Sequence, residues 1–382
     1  MHMPADGVTA PNEALSRALR GCLDDLDGLA DRFVAEVQQL EPYRRVPEAE
    51  LRSDAERSIE LVLRTLGGMP TPKRLDGAWE QIGRQRARAS IPSAVLLRAI
   101  RLDFRIIWSG MRARIPEDEI EALADYTVHI SDVIEEHSAR IHQAYIEEAA
   151  LLARADENER TRLVDALLAT DGRDSEVVTQ VATALNMDTD ARFVVAAAPA
   201  ARARKLIHAA TVLKAQAVPT HLQDIERSVV LIVQLPSRDA RPGVRWFAGV
   251  PCVVTPAVCG IVALPASIRI GIEMAQTLTA AAVGPEHAAD CWAAVAARRL
   301  PELTAALRTE VLPDPQQVTS HELDRVLETV SVFLRLGSVT EVADELFCHR
   351  NTVQNRLRRF TQLTGKDLTR PVDSAAVILA LA

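Results

Sequence analysis

The segment 338–360 constrains the fold of this 382-residue chain more than any other. Ser338 with Glu341 three positions later forms a capping box, so a helix is expected to begin there. Its inner face is then Val342, Ala343 and Leu346. Phe347 and Cys348 form a short break before the next apolar pattern. The segment therefore predicts a helix, a tight turn and a second helix.

The second helix of this segment is expected to be amphipathic. Val353, Leu357 and Phe360 follow the spacing i, i+4, i+7, which places them on one buried stripe. The opposite side carries residue types that bond base edges or phosphates. The predicted DNA-contacting residues are His349, Arg350, Asn351, Thr352, Gln354, Asn355, Arg358 and Arg359.

Charge supports a nucleic-acid partner for this segment. Residues 349–370 contain six basic residues against one acidic residue, a local charge of +5, although the whole chain has a formal net charge of −8. Neutralisation of phosphates supplies most of the non-specific affinity for DNA, and a basic island on an acidic chain suits it. The alternative is a solvated face on an ordinary surface helix. Agreement of caps, turn, stripe and charge favours double-stranded DNA as the partner.

The run His349-Arg-Asn351-Thr352-Val-x-x-Arg356-Leu357 is a recognisable pattern. Together with Thr364-Gly365-Lys-Asp-Leu368 after it, the run closely resembles the C-terminal helix-turn-helix of PucR-type (CdaR-like) bacterial transcriptional regulators. The helix pair is also similar to the DNA-binding end of the factor for inversion stimulation. One position departs from the family: Asn355 stands where an aromatic residue is usual, which puts the family's packing and contacts there in doubt.

Composition bounds the rest of the chain. The length predicts two to four domains, and the hydrophobic and charged fractions, 48% and 25%, are typical of a soluble globular protein. No apolar run approaches the length of a membrane span, and the N-terminus lacks an export signal, so a cytoplasmic location is expected. The five cysteines are scattered and are expected to be reduced thiols. A redox-sensing role stays open for Cys348, in the turn of the motif.

The first ~165 residues are expected to be helical, because apolar spacings recur and glycine is rare. Breaks are predicted at 67–72, 90–92 and 115–116. No proline or glycine occurs from 117 to 169, so one very long helix or two nearly end to end are expected. Its apolar positions alternate by three and four, the spacing of a coiled-coil seam. The predicted seam consists of Ile120, Leu123, Thr127, Ile130, Ile134, His137, Ile141 and Ala144, and a dimeric connector and packing within one bundle remain equally open.

The N-terminal block is also similar to a known domain. Gly83-Arg-Gln-Arg-Ala-Arg-Ala-Ser-Ile-Pro92 and the Leu-Arg-Ala-Ile-Arg-x-x-Phe-x-x-x-Trp run from Leu97 resemble the helical N-terminal domain of RsbT co-antagonists, found in some PucR-type regulators. The resemblance implies a sensor domain.

The apolar pattern of residues 188–282 differs from that of the helical N-terminal block. Short apolar runs at 192–198, 229–235, 246–250 and 259–264 predict strands, and helices are expected near 200–216 and 267–282. This alternation predicts a sheet with helices on one face. The position of the region before the terminal domain is similar to that of the GGDEF-like middle domain of PucR-type regulators, a relative of diguanylate cyclases.

That likeness raises an alternative function, a GGDEF-type nucleotide cyclase with a DNA-binding tail. Cyclase chemistry needs paired carboxylates for Mg²⁺ and a glycine-rich turn for the triphosphate. The expected hairpin, 235–243, carries only Asp239 between arginines, and no phosphate-binding GxxxxGK or GxGxxG run occurs. The middle region is therefore predicted to be catalytically empty, with no cofactor.

Other candidate sites are weak. His129, Asp132 and Glu136 share a helical face and could hold a metal, but ion-pair partners on a charged helix are the commoner outcome. His137 at a seam position favours a satisfied interface residue over a pH sensor, and Trp108 and Met111 favour core positions over a ligand pocket. No metal site is predicted.

The predicted organisation is multidomain α and α/β. It comprises an all-helical sensor-like domain (1–165), a small degenerate GGDEF-like α/β domain (166–311), and an all-helical helix-turn-helix domain (319–382) after a proline-rich hinge at 311–317. Thr319 and Gly337 are expected to begin and end a helix of the last domain. The predicted function is a sequence-specific transcriptional regulator, a homodimer or higher oligomer, that responds to an unidentified small-molecule or protein effector.

Overall fold

The computed structural model describes residues 11–120, 126–236, 245–313 and 318–382. The chain divides into two compact units, Met1–Glu159 and Arg160–Ala382, and each is described by itself. Three predicted features fall outside the described residues: the seam position Leu123, the hairpin turn around Asp239, and most of the proline-rich hinge. None of the helices in the described ranges combines the length and hydropathy that a membrane span needs.

The first unit is helical, as predicted. Its helices are α1 (Glu13–Asp24), α2 (Leu26–Val37), α3 (Glu48–Leu66), α4 (Ala78–Arg88), α5 (Ser93–Arg112) and the first part of α6 (Thr127–Ala169). The three predicted breaks are confirmed, since α3 ends before Gly67, α5 begins after Pro92 and α5 ends before Pro116. Aliphatic residues from all six helices form one core, with Tyr43 and Trp79 as its largest fully buried side chains.

Helices α4 and α6 cross at close range. A Cβ atom at Gly83 would lie 2.2 Å from the carbonyl oxygen of Ile141 and 3.0 Å from the backbone nitrogen of Tyr145. Only glycine lets the two backbones approach this closely. The contact fixes α4 against α6 at the level of Ile141.

The predicted coiled seam on α6 is used within the chain's own bundle. Ile130, His137, Ile141 and Ala144 are all buried, and the half-buried Ile134 packs against the same core. A dimeric connector built on these positions is therefore wrong, because their side chains are already covered. The stretch of α6 from 150 to 159 is exposed.

The sheet of the second unit is mixed and small. Its strands are β1 (Arg192–Pro199), β2 (Thr220–Ile225), β3 (Ser228–Gln234), β4 (Val253–Val254), β5 (Val258–Cys259) and β6 (Glu286–His287). The order is β2-β3-β1-β4-β6, with β5 also paired to β1. β1 and β3 are the central antiparallel pair, with Ala196 opposite Leu231, and β4 pairs with β6 in parallel.

Helices cover both faces of this sheet, which corrects the expectation of one covered face. The helices around it are α7 (Ser175–Leu185), α8 (Arg204–Ala215), α9 (Leu264–Ala275) and α10 (Ala288–Arg299). Val194 and Ala196 on one face of β1 pack with Leu206 of α8. The alternate residues Phe193 and Val195 pack with α7 and α9. Because successive side chains of β1 point to opposite faces of the sheet, this strand contributes to a hydrophobic core on each face.

Two strand predictions in this unit were wrong, and three strands were missed. Residues 246–249 form a turn, and most of 259–264 forms a 3-10 turn and the start of α9. β2, β4 and β6 were not predicted. The strands at 192–198 and 229–235 and the helix near 200–216 are confirmed.

The C-terminal end of the chain is helical. Its helices are α11 (Pro301–Val311), α12 (Ser320–Leu336), α13 (Val339–Glu345), α14 (Arg350–Thr364) and α15 (Pro371–Leu381). Val326, Val330, Phe360 and Val377 form a buried core among α12, α14 and α15, and Val311 of α11 joins it. The Arg308 guanidinium donates to the Ala380 carbonyl at 2.8 Å, which ties α11 to α15.

Candidate nucleic-acid interface

Helices α13 and α14 form the predicted helix-turn-helix. The Ser338 hydroxyl accepts a hydrogen bond from the Glu341 backbone amide, so the predicted N-cap is confirmed. The Thr319 hydroxyl caps α12 in the same way, and Gly337 ends that helix with φ +72°. Val342, Ala343 and Val353 are buried together, with α12 side chains against them. The sequence-local signals therefore position both helices of the motif.

The turn between the two helices is tight. Phe347 adopts φ +50°, a left-handed conformation that costs an L-residue roughly 1–2 kcal/mol. The Cys348 amide donates to the Ala343 carbonyl at 2.9 Å, which closes the end of α13. His349 is the N-cap of α14, and its Nδ1 accepts from the Asn351 amide at 3.2 Å. His349, predicted to contact DNA, thus also starts the helix that carries the other predicted residues.

Helix α14 has one buried and one exposed edge. Val353 and Phe360 are fully buried and Leu357 is partly buried, as the spacing predicted. The predicted DNA-contacting residues divide by exposure. His349, Arg350, Asn351, Gln354, Asn355 and Arg358 are exposed, whereas Thr352 and Arg359 are half-buried.

Arg350 and Gln354 lie one turn apart on the exposed edge, at the N-terminal end of α14. No ion pair or side-chain hydrogen bond with another described residue engages the Arg350 guanidinium. One turn further along, the Arg358 guanidinium donates to Asn355 Oδ1 at 3.2 Å. Asn355 is exposed and holds Arg358, so the aromatic residue of the resembled family is not needed for packing here.

The basic island is weaker than its sequence count of +5. The Arg359 guanidinium pairs with Glu322 of α12 at 2.8 Å, and Lys366 pairs with Glu310 of α11 at 3.1 Å. Arg356 is half-buried and donates to the Thr329 hydroxyl at 3.1 Å, so it joins α14 to α12. Arg359 was grouped with Arg358 from sequence alone, but the structure separates them, because only Arg359 faces a carboxylate.

One surface residue was missed by sequence reasoning. The Phe347 side chain is 96% exposed, the highest value among the exposed large hydrophobic side chains of the described residues. An aromatic ring in water, on a strained backbone, stabilises nothing within the chain. The signal available in the sequence was an aromatic residue in a break between two helices, where polar residues or glycine are usual.

The other candidate sites do not assemble. The His129 ring packs edge-on against Tyr126 with centroids 4.8 Å apart, and Glu136 pairs with Arg140, while Asp132 is exposed. No group of three metal-ligating side chains occurs within the described ranges. Met111 is fully buried, in accord with a core role. Trp108 is half-buried, with its ring 6.1 Å from that of Phe104.

The thiol predictions divide by position. All five cysteines are free, and Cys22, Cys252 and Cys291 are buried whereas Cys259 is exposed. Burial raises the pKa of the Cys252 thiol to about 12, which disfavours a reactive thiolate there. Cys348 is half-buried beside the small core of the motif.

Comparison with known families finds matches at both ends of the chain. Residues 26–160 match the RsbT co-antagonist protein rsbRD N-terminal domain. Residues 326–382 match the PucR C-terminal helix-turn-helix domain. The resemblances stated from the sequence at these two ends are thereby confirmed, and together they support a PucR-type, DNA-binding transcriptional regulator.

Individual relatives are similar over short stretches. Uncharacterized proteins of Mycobacterium tuberculosis and Mycobacterium bovis are each 41% identical over 56 residues. That stretch is 14% of this chain and 14% of the length of each relative. A solved structure, the regulator of polyketide synthase expression from Bifidobacterium adolescentis, is 21% identical and covers 58% of this chain and 90% of its own, with a TM-score of 0.32. A TM-score of that size does not establish a shared fold.

Proposed function

We propose that this chain regulates transcription by binding specific DNA sequences with the exposed edge of α14 and the turn before it. One observation carries the proposal. Arg350, Gln354 and Arg358 lie on an exposed edge of a helix whose other edge is buried, in a segment that matches a DNA-binding family. This arrangement suits insertion of the helix into the major groove.

The exposed residues divide into two roles. Arg350 and Gln354, nearest the N-terminal end of α14, are assigned to base edges, since arginine suits guanine and glutamine suits adenine. Arg358 is assigned mainly to phosphates, and Asn355 to positioning Arg358, whereas Arg359 reaches phosphate only when its ion pair with Glu322 opens. His349, Asn351 and Thr352 at the start of the helix are assigned to the DNA backbone beside it, where helix N-termini bind phosphate.

Phe347 extends this surface. Its exposed ring lies two residues before His349, on the side of the motif where α14 begins. Apolar contact with a thymine methyl group or a sugar would remove the ring from water. Such a contact gives a reason for an aromatic side chain that costs stability in the free protein.

The regulator is proposed to act as a homodimer in the cytoplasm, under the control of an effector. One helix-turn-helix gives few base contacts, and two-fold pairing over half-sites about one DNA turn apart is the usual remedy. The middle region, proposed as a degenerate GGDEF-like module, relays the signal, and the domain limits given from the sequence are retained.

Fluorescence anisotropy with matched duplexes tests the DNA-binding proposal. A pull-down of genomic fragments by the purified chain first supplies a bound duplex, and a scrambled duplex serves as the reference. Arg350→Ala should lose the preference for the bound sequence, by about 1–3 kcal/mol. Arg358→Ala should weaken both duplexes equally and reduce the slope of log affinity against log salt by about one.

Arg325→Ala is the matched control, because Arg325 is an exposed arginine of α12 outside the motif. It removes the same charge and should leave the preference between duplexes unchanged. If Arg350→Ala preserved the preference, α14 would not be the helix that distinguishes base sequences.

A further inference from the structure

A cavity lies inside the first unit, where five helices converge. Its lining includes Tyr43, Ala55, Ile82, Leu96, Ala99, Ile100 and Ile141, together with a few charged and polar side chains. Its free volume is about 30 Å³, which is room for about two water molecules. Phe33 is the one lining residue that is partly exposed, so the opening lies beside its ring.

One end of the cavity carries a buried ion pair that is already satisfied. The Arg86 guanidinium binds Asp54 at 2.5 Å and Glu50 at 2.9 Å. Asp54 also pairs with Arg57 at 2.5 Å. Arg86 is the only cation of the lining, so an anionic ligand would have to compete with two carboxylates for it.

The other charged residue of the lining, Asp103, has an unused oxygen. The Ser58 hydroxyl donates to Asp103 Oδ2 at 2.9 Å and lies 3.0 Å from His137 Nε2. Asp103 Oδ1 has no hydrogen-bond partner among the described residues, although the side chain is only 7% exposed. A buried carboxyl oxygen without a partner is costly, and native proteins normally satisfy such a group.

Ser58, Asp103 and His137 do not form a nucleophilic triad. The serine lies between the carboxyl and the imidazole, whereas a catalytic serine needs the imidazole between itself and the carboxylate. All three side chains are buried, on α3, α5 and α6. The arrangement fits a binding wall and not a hydrolytic site.

We propose that this cavity binds a compact, largely apolar amine whose ammonium group pairs with Asp103 Oδ1, and that it is the effector site of the regulator. The aliphatic lining favours an apolar body, and the single unsatisfied carboxyl favours one hydrogen-bond donor with positive charge. The small free volume limits the ligand to about three heavy atoms, which take the place of the water. The assignment as effector site rests on the proposed function, whereas the binding itself does not.

The charge on Asp103 supplies a second signature. Burial raises the pKa of the Asp103 carboxyl to about 7, so near neutrality about half of the molecules carry a proton there. An ammonium ion favours the carboxylate, so its binding should release that proton. The affinity for an amine should therefore rise as the pH rises through 7, and the affinity for a neutral ligand of the same shape should not.

Ethylamine and ethanol are a matched pair of probes, equal in shape and different in charge. Isothermal titration of the full-length protein near neutral pH, in two buffers of different ionisation enthalpy, measures affinity and proton release. Millimolar affinity for ethylamine is expected, with ethanol about tenfold weaker. Asp103→Asn should weaken the amine about tenfold and abolish proton release, while Asp132→Asn, at an exposed carboxylate of α6, should change neither.

A cavity-filling variant keeps the test independent of the charge change. Ala99→Leu places a larger side chain in the lining and should prevent binding of both probes, with helix content retained by circular dichroism. Equal binding of amine and alcohol, unchanged binding by Asp103→Asn, or occupation by water alone would each overturn the proposal. Because no DNA is present, such a failure is distinct from failure of the DNA-binding proposal.

Discussion

The carboxyl of Asp103 and the imidazole of His137 lie 3.6 Å apart in the interior of the first unit, yet burial holds both near their neutral forms. Burial raises the pKa of Asp103 to about 7 and lowers the pKa of His137 to about 4. Ser58 bridges them. A close acid and base that favour neutrality have consequences for stability against pH.

The first prediction concerns that pH dependence. Asp103 stabilises the fold when protonated, so its contribution falls as the pH rises from 3.8 to about 7. His137 stabilises the fold when neutral, so its contribution falls as the pH drops from 6.5 to about 4. The two slopes oppose each other in the shared window. Asp103→Asn leaves only the histidine, and stability should then rise with pH by up to about 1.4 kcal/mol per unit.

The slope is measured between pH 4 and 6.5 by urea unfolding of the full chain, with hydrogen exchange of the amides in α3 and α5 as the readout. His137→Gln should give the opposite slope, and Asp132→Asn should behave as the unaltered protein. A flat profile for Asp103→Asn would show that the two groups do not titrate as described.

The second prediction concerns the Arg359–Glu322 ion pair. Glu322→Gln removes the carboxylate and frees the guanidinium for phosphate. Non-specific DNA affinity should rise, and the slope of log affinity against log salt should steepen by about one. Glu328→Gln, at an exposed position of the same helix, removes the same charge without freeing Arg359. Identical anisotropy titrations for the two variants would contradict a masking role of Glu322.

The third prediction concerns Phe347. Glycine tolerates φ +50°, so Phe347→Gly should be more stable than Phe347→Ala by roughly 1 kcal/mol in urea unfolding of the C-terminal helices. Both variants lack the ring, and both should bind duplex DNA more weakly than the unaltered protein. Unchanged DNA affinity in either variant would remove Phe347 from the proposed interface.

The fourth prediction concerns assembly. The helix α6 exposes Ile146, Leu151 and Leu152 at 48%, 58% and 43%. If dimerisation uses α6, these side chains are available for it, unlike the buried positions before them. The full chain should sediment as a dimer, and the double change Leu151→Asp with Leu152→Asp should weaken it, while Gln143→Asp should not. A monomeric wild-type chain would leave α6 without this role.

The fifth prediction concerns the middle region. Incubation of the full chain with GTP and Mg²⁺, followed by product chromatography, should give no cyclic dinucleotide above a boiled-protein control. The reason is chemical, since a cyclase needs paired carboxylates for the metal and a turn that admits the triphosphate. Product formation would restore the cyclase alternative.

The helix-turn-helix could be predicted because its determinants are local. Ser338, Gly337 and the stripe from Val353 to Phe360 act within a few residues of one another, and the structure places each as expected. The pairing of Arg359 with Glu322 joins residues 37 positions apart and has no local signature. The count of basic residues therefore overstated the free charge of the motif.

The sheet shows the same limit. β1 and β3 are continuous apolar runs and were predicted, whereas β2 alternates and includes the buried polar residues His221 and Gln223. Its strand character depends on pairing with β3, where His221 lies opposite Ile232. Strand pairing is a tertiary property that the sequence of β2 alone does not reveal. The same holds for the helices that cover both faces of β1.

The cluster of buried polar side chains in the first unit was missed for a related reason. Ser58, Asp103 and His137 come from three helices, so no spacing in the sequence unites them. One signal was available: Asp103 lies three residues after Ile100 and four before Ile107, on the buried stripe of α5. A carboxyl on an apolar stripe indicates either a partner within the core or a ligand.

The contact at Gly83 has a mechanical consequence for the first unit. With the α4 backbone against Ile141, no space remains for these two helices to slide or tilt separately. The cavity is lined on this side by Ile82 and Arg86 of α4 and by Ile141 of α6. Because α4 and α6 are in close contact, this side of the cavity is expected to move as one rigid body. A ligand larger than the free volume of the cavity must therefore displace α4 and α6 together, or displace α3 and α5. Any side chain at position 83 would force α4 and α6 apart even without a ligand, because its Cβ atom would clash with the Ile141 carbonyl.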